Sequence, residues 1–359
     1  MPTRGRSRSG RDLITPSRRS LLRGGLAAGI AGSGALALGA CGAEPERSSE
    51  GASADEPFEL TLAHNLGGTH PTSHALEQFA ADVEENSDGR LAMTVYSGGV
   101  LGGETEAIEQ VQRGILDMVR VASPGLAPYA PGYHTFGLPF VFEDEDHFYA
   151  AMDSEAMQNY FASTSDDGFI GLTYYTSGAR SFYTIDRPVR EPADLAGQKI
   201  RIQDFRSQTE LMYALGGSPV VMGFGDVYTA LQTGMVDGAE SNETALTDVS
   251  HGEVAHVFSY TEHTMIPDLL MISTTTWDAL TAEDQEAVRT AAVTSTEDHK
   301  ELWAETVEES IAEAQEMGVE FIDDVDRDAF RDATDTMIDE YRTEYPEVGD
   351  VLDVIDAAR

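Results

Sequence analysis

KIRIQDFRSQTELMYALGGSPVVMGFGDVYTALQTGMVDGAESN, residues 199–242, is the stretch from which the fold is read. Lys199, Ile200 and Arg201 open an apolar strand. A helical pattern follows with Leu211, Met212 and Leu215 on one face, and Gly216-Gly217 ends it where a helix takes a left-handed cap. A short strand is predicted over Pro219 to Met222. Phe224 and the run DVYTALQTG then give a second amphipathic helix, closed by Gly234 ahead of an acidic turn at Asp237-Gly238. Strand, helix, strand, helix is the unit that builds parallel sheets with binding sites at strand ends.

Outside that stretch, composition sets limits. A chain of 359 residues can bury a real core and is expected to divide into two lobes. Its 63 acidic residues against 23 basic ones give a net charge of -40, which argues against nucleic acid as a partner, since phosphate binding needs concentrated Lys and Arg.

The first forty residues read as an address. Ser17-Arg18-Arg19-Ser20-Leu21-Leu22-Arg23 is a twin-arginine export pattern, followed by a small-residue apolar run from Gly24 to Ala40. That run is about 17 residues, at the short edge for a membrane span. It ends Leu38-Gly39-Ala40-Cys41, a lipobox-like ending with Cys41 as the expected lipidation site. Cys41 is the only cysteine, so neither a disulfide nor a cysteine metal site is expected. Removing a leader with seven arginines and one aspartate would take the net charge from -40 to about -46. Such a surface suits high salt, where the screening length falls to about 3 Å at molar concentration, and salt adaptation is inferred. Residues 41–57, mostly Ser, Glu, Ala and Gly, read as a flexible tether.

The folded part is expected to start at Phe58. Strands are predicted over Leu60 to Ala63, Leu91 to Tyr96 and Leu116 to Ala122. One helix is capped by Thr72 or Ser73 and ended by Gly89, and another covers Glu104 to Arg113. GLAPYAPGYHTFGLPFVF, from Gly125 to Phe142, is too rich in Pro and Gly for a long helix and too apolar for a free loop, so it is assigned to the lobe interface. A single helix is expected from the acidic turn Glu143 to Asp146 through Phe161. Ile170 to Tyr175 and Ser181 to Thr184 read as strands crossing a hinge, and further strands fall near Phe258 to Tyr260 and Leu269 to Ser273. From Thr281, with Asp284 completing a capping box, about 36 residues run without Gly or Pro to Gly318, roughly 55 Å of helix and enough to span both lobes.

For chemistry, the sequence offers no nucleophile elbow, Walker loop, dinucleotide fingerprint or zinc-protease motif. His64, His70 and His74 lack helical metal spacing, and the acid runs Glu143 to Asp146 and Asp323 to Asp326 lack calcium-loop spacing, so no metal and no cofactor is expected. Arg180 and Arg201 sit in apolar strand context. Each is either a rigid fork for a carboxylate in a cleft or one half of a surface ion pair.

The 199–242 stretch resembles the solute-binding subunit of TRAP (tripartite ATP-independent periplasmic) transporters. So do AHNLGGTHPTSHALEQFAADVEENSDGRL, YSGGVLGGETEAIEQVQRGILDM, LPFVF, and TEHTMIPDLLMIS followed by Trp277, so that the likeness covers Phe58 to about Met317. It implies an α/β periplasmic binding protein-like fold of two lobes with hinge strands and a long interdomain helix. Lobe 1 would be 58–177 plus about 267–306, and lobe 2 would be 178–266 plus about 307–359. It implies Arg201 as the grip on a ligand carboxylate, Arg180 as a second polar contact and Phe224 as an aromatic wall. The Glu-Asn pair usual after the acidic turn is here Glu240-Ser241-Asn242, which leaves Ser241 and Asn242 both eligible as hydrogen-bonding partners. Val100 stands where a polar residue is common. Gln203 joins them as a hydroxyl contact; His64, Asn65 and Ser123 are first-lobe candidates by location.

The function implied is capture of an organic acid outside the cytoplasm by a lipid-anchored protein that is not an enzyme, and delivery to a membrane permease. A sugar acid such as a uronate or aldonate is favoured over a dicarboxylate. A ligand-sensing lipoprotein and a lipid-anchored enzyme acting on acidic sugars are the readings from other classes.

Overall fold

The computed structural model describes residues 47–359; the leader, Cys41 and the start of the tether lie outside the described residues. Two sheets organise the chain. The first takes β1 (Phe58–Ala63), β2 (Leu91–Tyr96), β3 (Met118–Ala122), β4 (Phe169–Tyr175) and a late returner, β10 (Asp268–Ser273), in the order β2-β1-β3-β10-β4. β1 runs parallel to β2 and β3, while β10 is antiparallel to both β3 and β4. The second takes β5 (Ala179–Thr184), β6 (Lys199–Ile202), β7 (Ser218–Val221), β8 (Gly238–Ser241), β9 (Val257–Met265) and β11 (Glu320–Ile322), in the order β11-β9-β5-β8-β6-β7. The acidic turn expected at Asp237-Gly238 leads directly into β8, so Glu240 and Ser241 are strand residues.

Helices cover these sheets where the apolar spacing requires it. α1 (Pro71–Asn86) buries Leu76, Phe79 and Val83 completely, each worth about 1.5–3 kcal/mol. Its cap is neither Thr72 nor Ser73 but His70, whose Nδ1 accepts from the Thr72 N–H at 3.1 Å. The Pro at N1 already fixes φ, so the cap falls earlier than the hydroxyls suggested. α2 (Glu104–Gln112) follows β2. The single helix expected up to Phe161 is two, α3 (Glu145–Met152) and α4 (Glu155–Ala162), because Ser154 starts a new cap on the Met157 N–H at 3.2 Å. The Pro/Gly-rich interface segment forms two short 3-10 turns, Ser123–Leu126 and Pro131–Gly137. In the second lobe lie α5 (Arg206–Ala214), α6 (Val227–Gln232) and α7 (Thr244–Thr247), and α8 (Thr274–Ala279) returns to the first.

α9 (Ala282–Glu316) is the predicted long helix, about 50 Å at helical rise, and Gly318 at φ +93 ends it. Its start is built differently from a simple capping box. Thr281 accepts the Asp284 N–H at 3.2 Å, but the Thr281 N–H donates to Ser49 Oγ at 2.8 Å, and that hydroxyl donates to Asp284 Oδ2 at 2.6 Å. Ser49 belongs to the expected tether, which is therefore not free from Arg47 on. Arg47 Nη1 donates to Asp117 Oδ1 at 2.6 Å, with its guanidinium over the Phe58 ring at 4.7 Å.

α9 ties the sheets together. Tyr175 bonds Ser295 at 2.8 Å on the first-lobe side, and Thr247 donates to Ser310 at 3.0 Å on the second. The chain crosses between the sheets at 176–178 and 266–267, and Ser177 Oγ donates to the Ile266 carbonyl at 2.7 Å to join the crossings. The tail departs from its expected lobe. α10 (Arg327–Thr334) packs Phe330 on Phe182 of β5, but after α11 (Thr336–Glu344) the last helix, α12 (Pro346–Asp356), seats Val348, Val351 and Ile355 in the first-lobe core, and the Ile355 carbonyl meets His147 Nε2 at 2.9 Å.

Candidate functional site

Between the two sheets lies a cleft of about 630 Å³, with the hinge crossings as its floor. β strands deliver the charged groups to it. Arg180 leaves β5, Arg201 leaves β6 and Arg120 leaves β3, and all three are buried. The surface ion-pair alternative for the first two is thereby excluded. Of the residues expected at the site, Arg180, Arg201, Gln203, Phe224, Ser241, Asn242 and Asn65 line the cleft. His64 and Ser123 do not: both are buried behind its first-lobe wall, with ring nitrogens and hydroxyl lacking partners among the described residues. Val100 points to solvent, at 70% exposure, so its departure from a polar residue leaves the cleft untouched.

The arginines are held in different ways. Arg180 makes a two-point ion pair with Glu240 of the neighbouring strand, Nε to Oε2 at 2.5 Å and Nη2 to Oε1 at 2.9 Å, and Nη2 also donates to the Glu240 carbonyl at 2.7 Å. Burial works against its charge, but Glu240 overcomes that and holds the guanidinium above its ordinary pKa. Arg201 instead donates Nε and Nη2 to the Met222 carbonyl, at 3.1 and 3.0 Å, and has no carboxylate within ion-pair distance among the described residues. Burial pushes its pKa below the usual value. Its guanidinium lies 5.8 Å from the ring centre of Phe224, which lines the cleft beside it. A buried cation without a counter-charge is costly, and an incoming carboxylate would relieve it.

The first-lobe wall has the opposite character. Arg120 Nη1 donates to Asn65 Oδ1 at 2.9 Å and to Glu104 Oε1 at 3.1 Å, and its Nη2 is paired with Asp268. Two carboxylates thus face one guanidinium. Burial raises the Asp268 carboxyl to about 6 against the pull of Arg120. Burial also lowers His64 to about 4, with Arg120 assisting, and holds the cleft-lining His70 well below its normal value, so both rings are neutral. Gln203 Oε1 is buried without a partner among the described residues, as is Arg120 Nε. Orphaned groups of this kind in a cleft await a polar ligand or water. Sequence reading missed Arg120, Glu104 and Asp268. The available signal was a charged residue inside the otherwise apolar strand Met-Val-Arg-Val-Ala, every member of which is buried.

Asn242 has a structural part as well as a cleft face. Its Nδ2 donates to the Ser177 carbonyl at 2.8 Å, and its Oδ1 accepts from Thr244 N and Oγ1 at 3.1 and 2.7 Å, so it pins the hinge. Ser241 makes no such side-chain bonds among the described residues. No cluster of His, Cys, Asp and Glu suited to a metal occurs among the described residues.

Two lobes joined by hinge strands, closing around a cleft with one uncompensated buried cation, define a bilobed solute-binding protein. Likeness to known proteins places it more narrowly. Residues 62–344 match the model of bacterial extracellular solute-binding protein, family 7, and the chain belongs to that family. It is 34% identical to a TRAP periplasmic solute-binding protein of Anaerococcus prevotii solved with bound D-glucuronate, with TM-score 0.80 over 84% of this chain and 97% of that one. A Sulfitobacter TRAP protein solved with β-D-galacturonate is 33% identical, with TM-score 0.79 over 83% and 99%. The 2,3-diketo-L-gulonate-binding periplasmic protein YiaO of Escherichia coli is 30% identical over 83% of this chain and 91% of its own. The family is one of extracellular binding proteins. No helix among the described residues is long and apolar enough to cross a membrane.

Proposed function

We propose that the protein captures a sugar acid of the uronate type, by its carboxylate, for delivery to a TRAP membrane permease. The observation that carries this reading is the unequal charge of the two walls. Arg201 offers the second-lobe wall a positive charge with no carboxylate of the described residues in ion-pair contact, while the first-lobe wall sets Glu104 and Asp268 against Arg120. A monocarboxylate with hydroxyls along the rest of its length meets both demands: its anionic end goes to Arg201, and its hydroxyls donate to carboxylates and to Gln203 Oε1. A dicarboxylate would bring its second charge to an acidic wall, and Arg180, the residue such a ligand would need, is already taken by Glu240. Relatives solved with D-glucuronate and β-D-galacturonate support the class.

Binding needs no covalent step. The open cleft exposes Arg201, the carboxylate docks, and closure about 176–178 and 266–267 expels water and strengthens the pair, so that ligand selects the closed form. Export through the twin-arginine leader, anchoring at Cys41 and the high-salt setting belong to the same proposal and rest on sequence alone.

Thermal melts of the chain in high salt, with D-glucuronate, D-galacturonate, succinate and malate in turn, provide the test, because a ligand of the folded state raises Tm by mass action. A uronate that raises Tm and is recovered unchanged is the expected result. A shift by the dicarboxylates alone would overturn the sugar-acid assignment, and turnover of the uronate would overturn the binding-protein reading.

A further inference from the structure

A second cavity, of about 400 Å³, lies behind the hinge. Consecutive residues of three chain segments divide the space between it and the cleft: Ser177, Ile266 and Asn242 face the cleft, while their neighbours Gly178, Met265 and Glu243 line the rear cavity. The partition is therefore about one residue thick and is made of the hinge itself. Trp303 stands against it, its ring Cζ2 only 3.3 Å from where a side chain on Gly178 would begin.

The rear cavity has a definite chemistry. Phe140, Met265, Trp303 and Val307 give it an apolar floor, and Glu243 and Glu262 supply carboxylates. Arg327, the one cation lining it among the described residues, is bound to Glu262 at 2.5 Å, and Glu243 has no ion-pair partner among them. A separate observation also points to an occupant. Thr264 is 2% exposed, lines the cavity, and its Oγ1 has no hydrogen-bond partner among the described residues. A carboxylate lacking a counter-charge among the described residues, an orphaned buried hydroxyl and a tryptophan ring on the lining together suit a positively charged group carried on an apolar body.

We propose that the cavity behind the hinge is a second ligand site, for a small organic cation with an apolar body, and that its occupancy is linked to that of the cleft through the shared hinge wall. Rotation of the lobes that narrows one space reshapes the other, because both are bounded by the same three segments. Linkage is reciprocal: whatever factor the cation imposes on the affinity of the cleft, the cleft ligand imposes on the cation. This coupling rests on the cleft being a ligand site; the cation site itself does not.

Calorimetric titration of the full chain with benzyltrimethylammonium chloride in low-salt buffer at about pH 8.5, where Glu243 is ionised, tests it, with neutral benzyl alcohol as the control. Saturable binding of the cation, and none of the alcohol, is expected. Glu243→Gln removes the charge, and Ala304→Trp, at an exposed position on the cavity lining, fills the space; each should abolish the titration. Absence of saturable binding to the parent, or binding unchanged in both variants, would overturn the site. With D-glucuronate as cleft ligand, saturating cation should change its Kd by about fivefold or more, with an equal change in the reverse experiment. A factor of one would overturn the coupling. If D-glucuronate does not bind at all, the function proposed for the cleft fails, and the cation titration still decides the rear site.

Discussion

Arg180 and Glu240 occupy adjacent strands, β5 and β8, and lock together through two N–H···O bonds of 2.5 and 2.9 Å in a fully buried pair. Arg201, on the far side of β8, has the Met222 carbonyl as its one side-chain hydrogen-bond partner among the described residues. Two arginines alike in sequence context are thus held differently: one is neutralised within the sheet, and the other, in the function proposed, is the one open to a ligand carboxylate.

Arg201→Ala should therefore separate affinity from stability. Loss of the ligand's counter-charge is expected to weaken D-glucuronate binding by a hundredfold or more, about 3 kcal/mol. Unliganded stability should fall little, because the substitution also removes an uncompensated buried charge. Calorimetry and melts without ligand read the two quantities. A parent-like Kd would remove Arg201 from the site.

Glu240→Gln should show the reverse split. Arg180 would be left buried without its carboxylate, at a stability cost of about 3–5 kcal/mol. The released guanidinium would then be available to a second ligand carboxylate. Succinate or malate, inert toward the parent, should bind the variant and partly restore its Tm. A variant that melts like the parent would mean the pair contributes nothing to the fold.

Much of this arrangement is legible in the amino-acid order itself. The 199–242 stretch carries its periodicity openly, with apolar spacing of 3.6 between strands and glycines at the helix ends, and β6 and β7 fall within a residue of where that pattern puts them, whereas β8 stands where the pattern gives only a turn. Arg201, Gln203 and Phe224 come to the cleft because strand ends and the turns after them face it. Arg120, Glu104 and Asp268 stay hidden for a different reason. Their pairing joins β3, α2 and β10, and β10 enters the first sheet only after the chain has built most of the second lobe. Local pattern carries no record of such a return. The tail misleads similarly: α12 is an ordinary amphipathic helix whose partner, the turn at 131–137, lies far back in the sequence. At Ser154 the apolar rhythm runs on through a genuine break that only the cap geometry exposes.

The acid groups near the hinge contribute to the pH response. Burial, with Glu262 adding repulsion, raises the Glu243 carboxyl from 4.5 to about 7; Tyr260 donates to it in opposition, Glu145 adds to the repulsion, and Arg327 is engaged by Glu262. Asp268 is raised from 3.8 to about 6. A raised carboxyl binds its proton more tightly folded than unfolded, so its stability contribution is full below the unfolded pKa and declines as pH rises toward the folded one. The contribution of these two carboxyls should accordingly fall between about pH 4 and pH 7, while the buried histidines, lowered by burial, contribute stability that rises with pH over the same window. Glu243→Gln should melt higher than the parent, by a few degrees near pH 8, and lose that advantage near pH 4. An advantage that grows on acidification would contradict the assignment.

Ser49→Ala tests the seam between tether and domain. The Ser49 hydroxyl sits between the Thr281 N–H and Asp284 Oδ2, and its own N–H donates to the Ala279 carbonyl at 2.8 Å, so the segment before β1 completes the start of α9. Removing the hydroxyl leaves the Thr281 N–H without its partner, at about 1 kcal/mol, the usual cost of a lost cap. Asp284 keeps Thr281 Oγ1 at 2.7 Å and Arg90 at 3.0 Å, which limits the damage to the one bond. A chain beginning at Phe58 loses the Arg47–Asp117 pair as well, leaving Asp117, a nearly buried carboxylate, with only Thr61 and Thr276 to bond it. The truncation should therefore lower Tm by more than the substitution does, and proteolysis of the intact chain should spare the bonds between Arg47 and Phe58. Cleavage there as fast as in an unstructured peptide, with Tm unchanged in both variants, would return the whole segment to the role of a free tether.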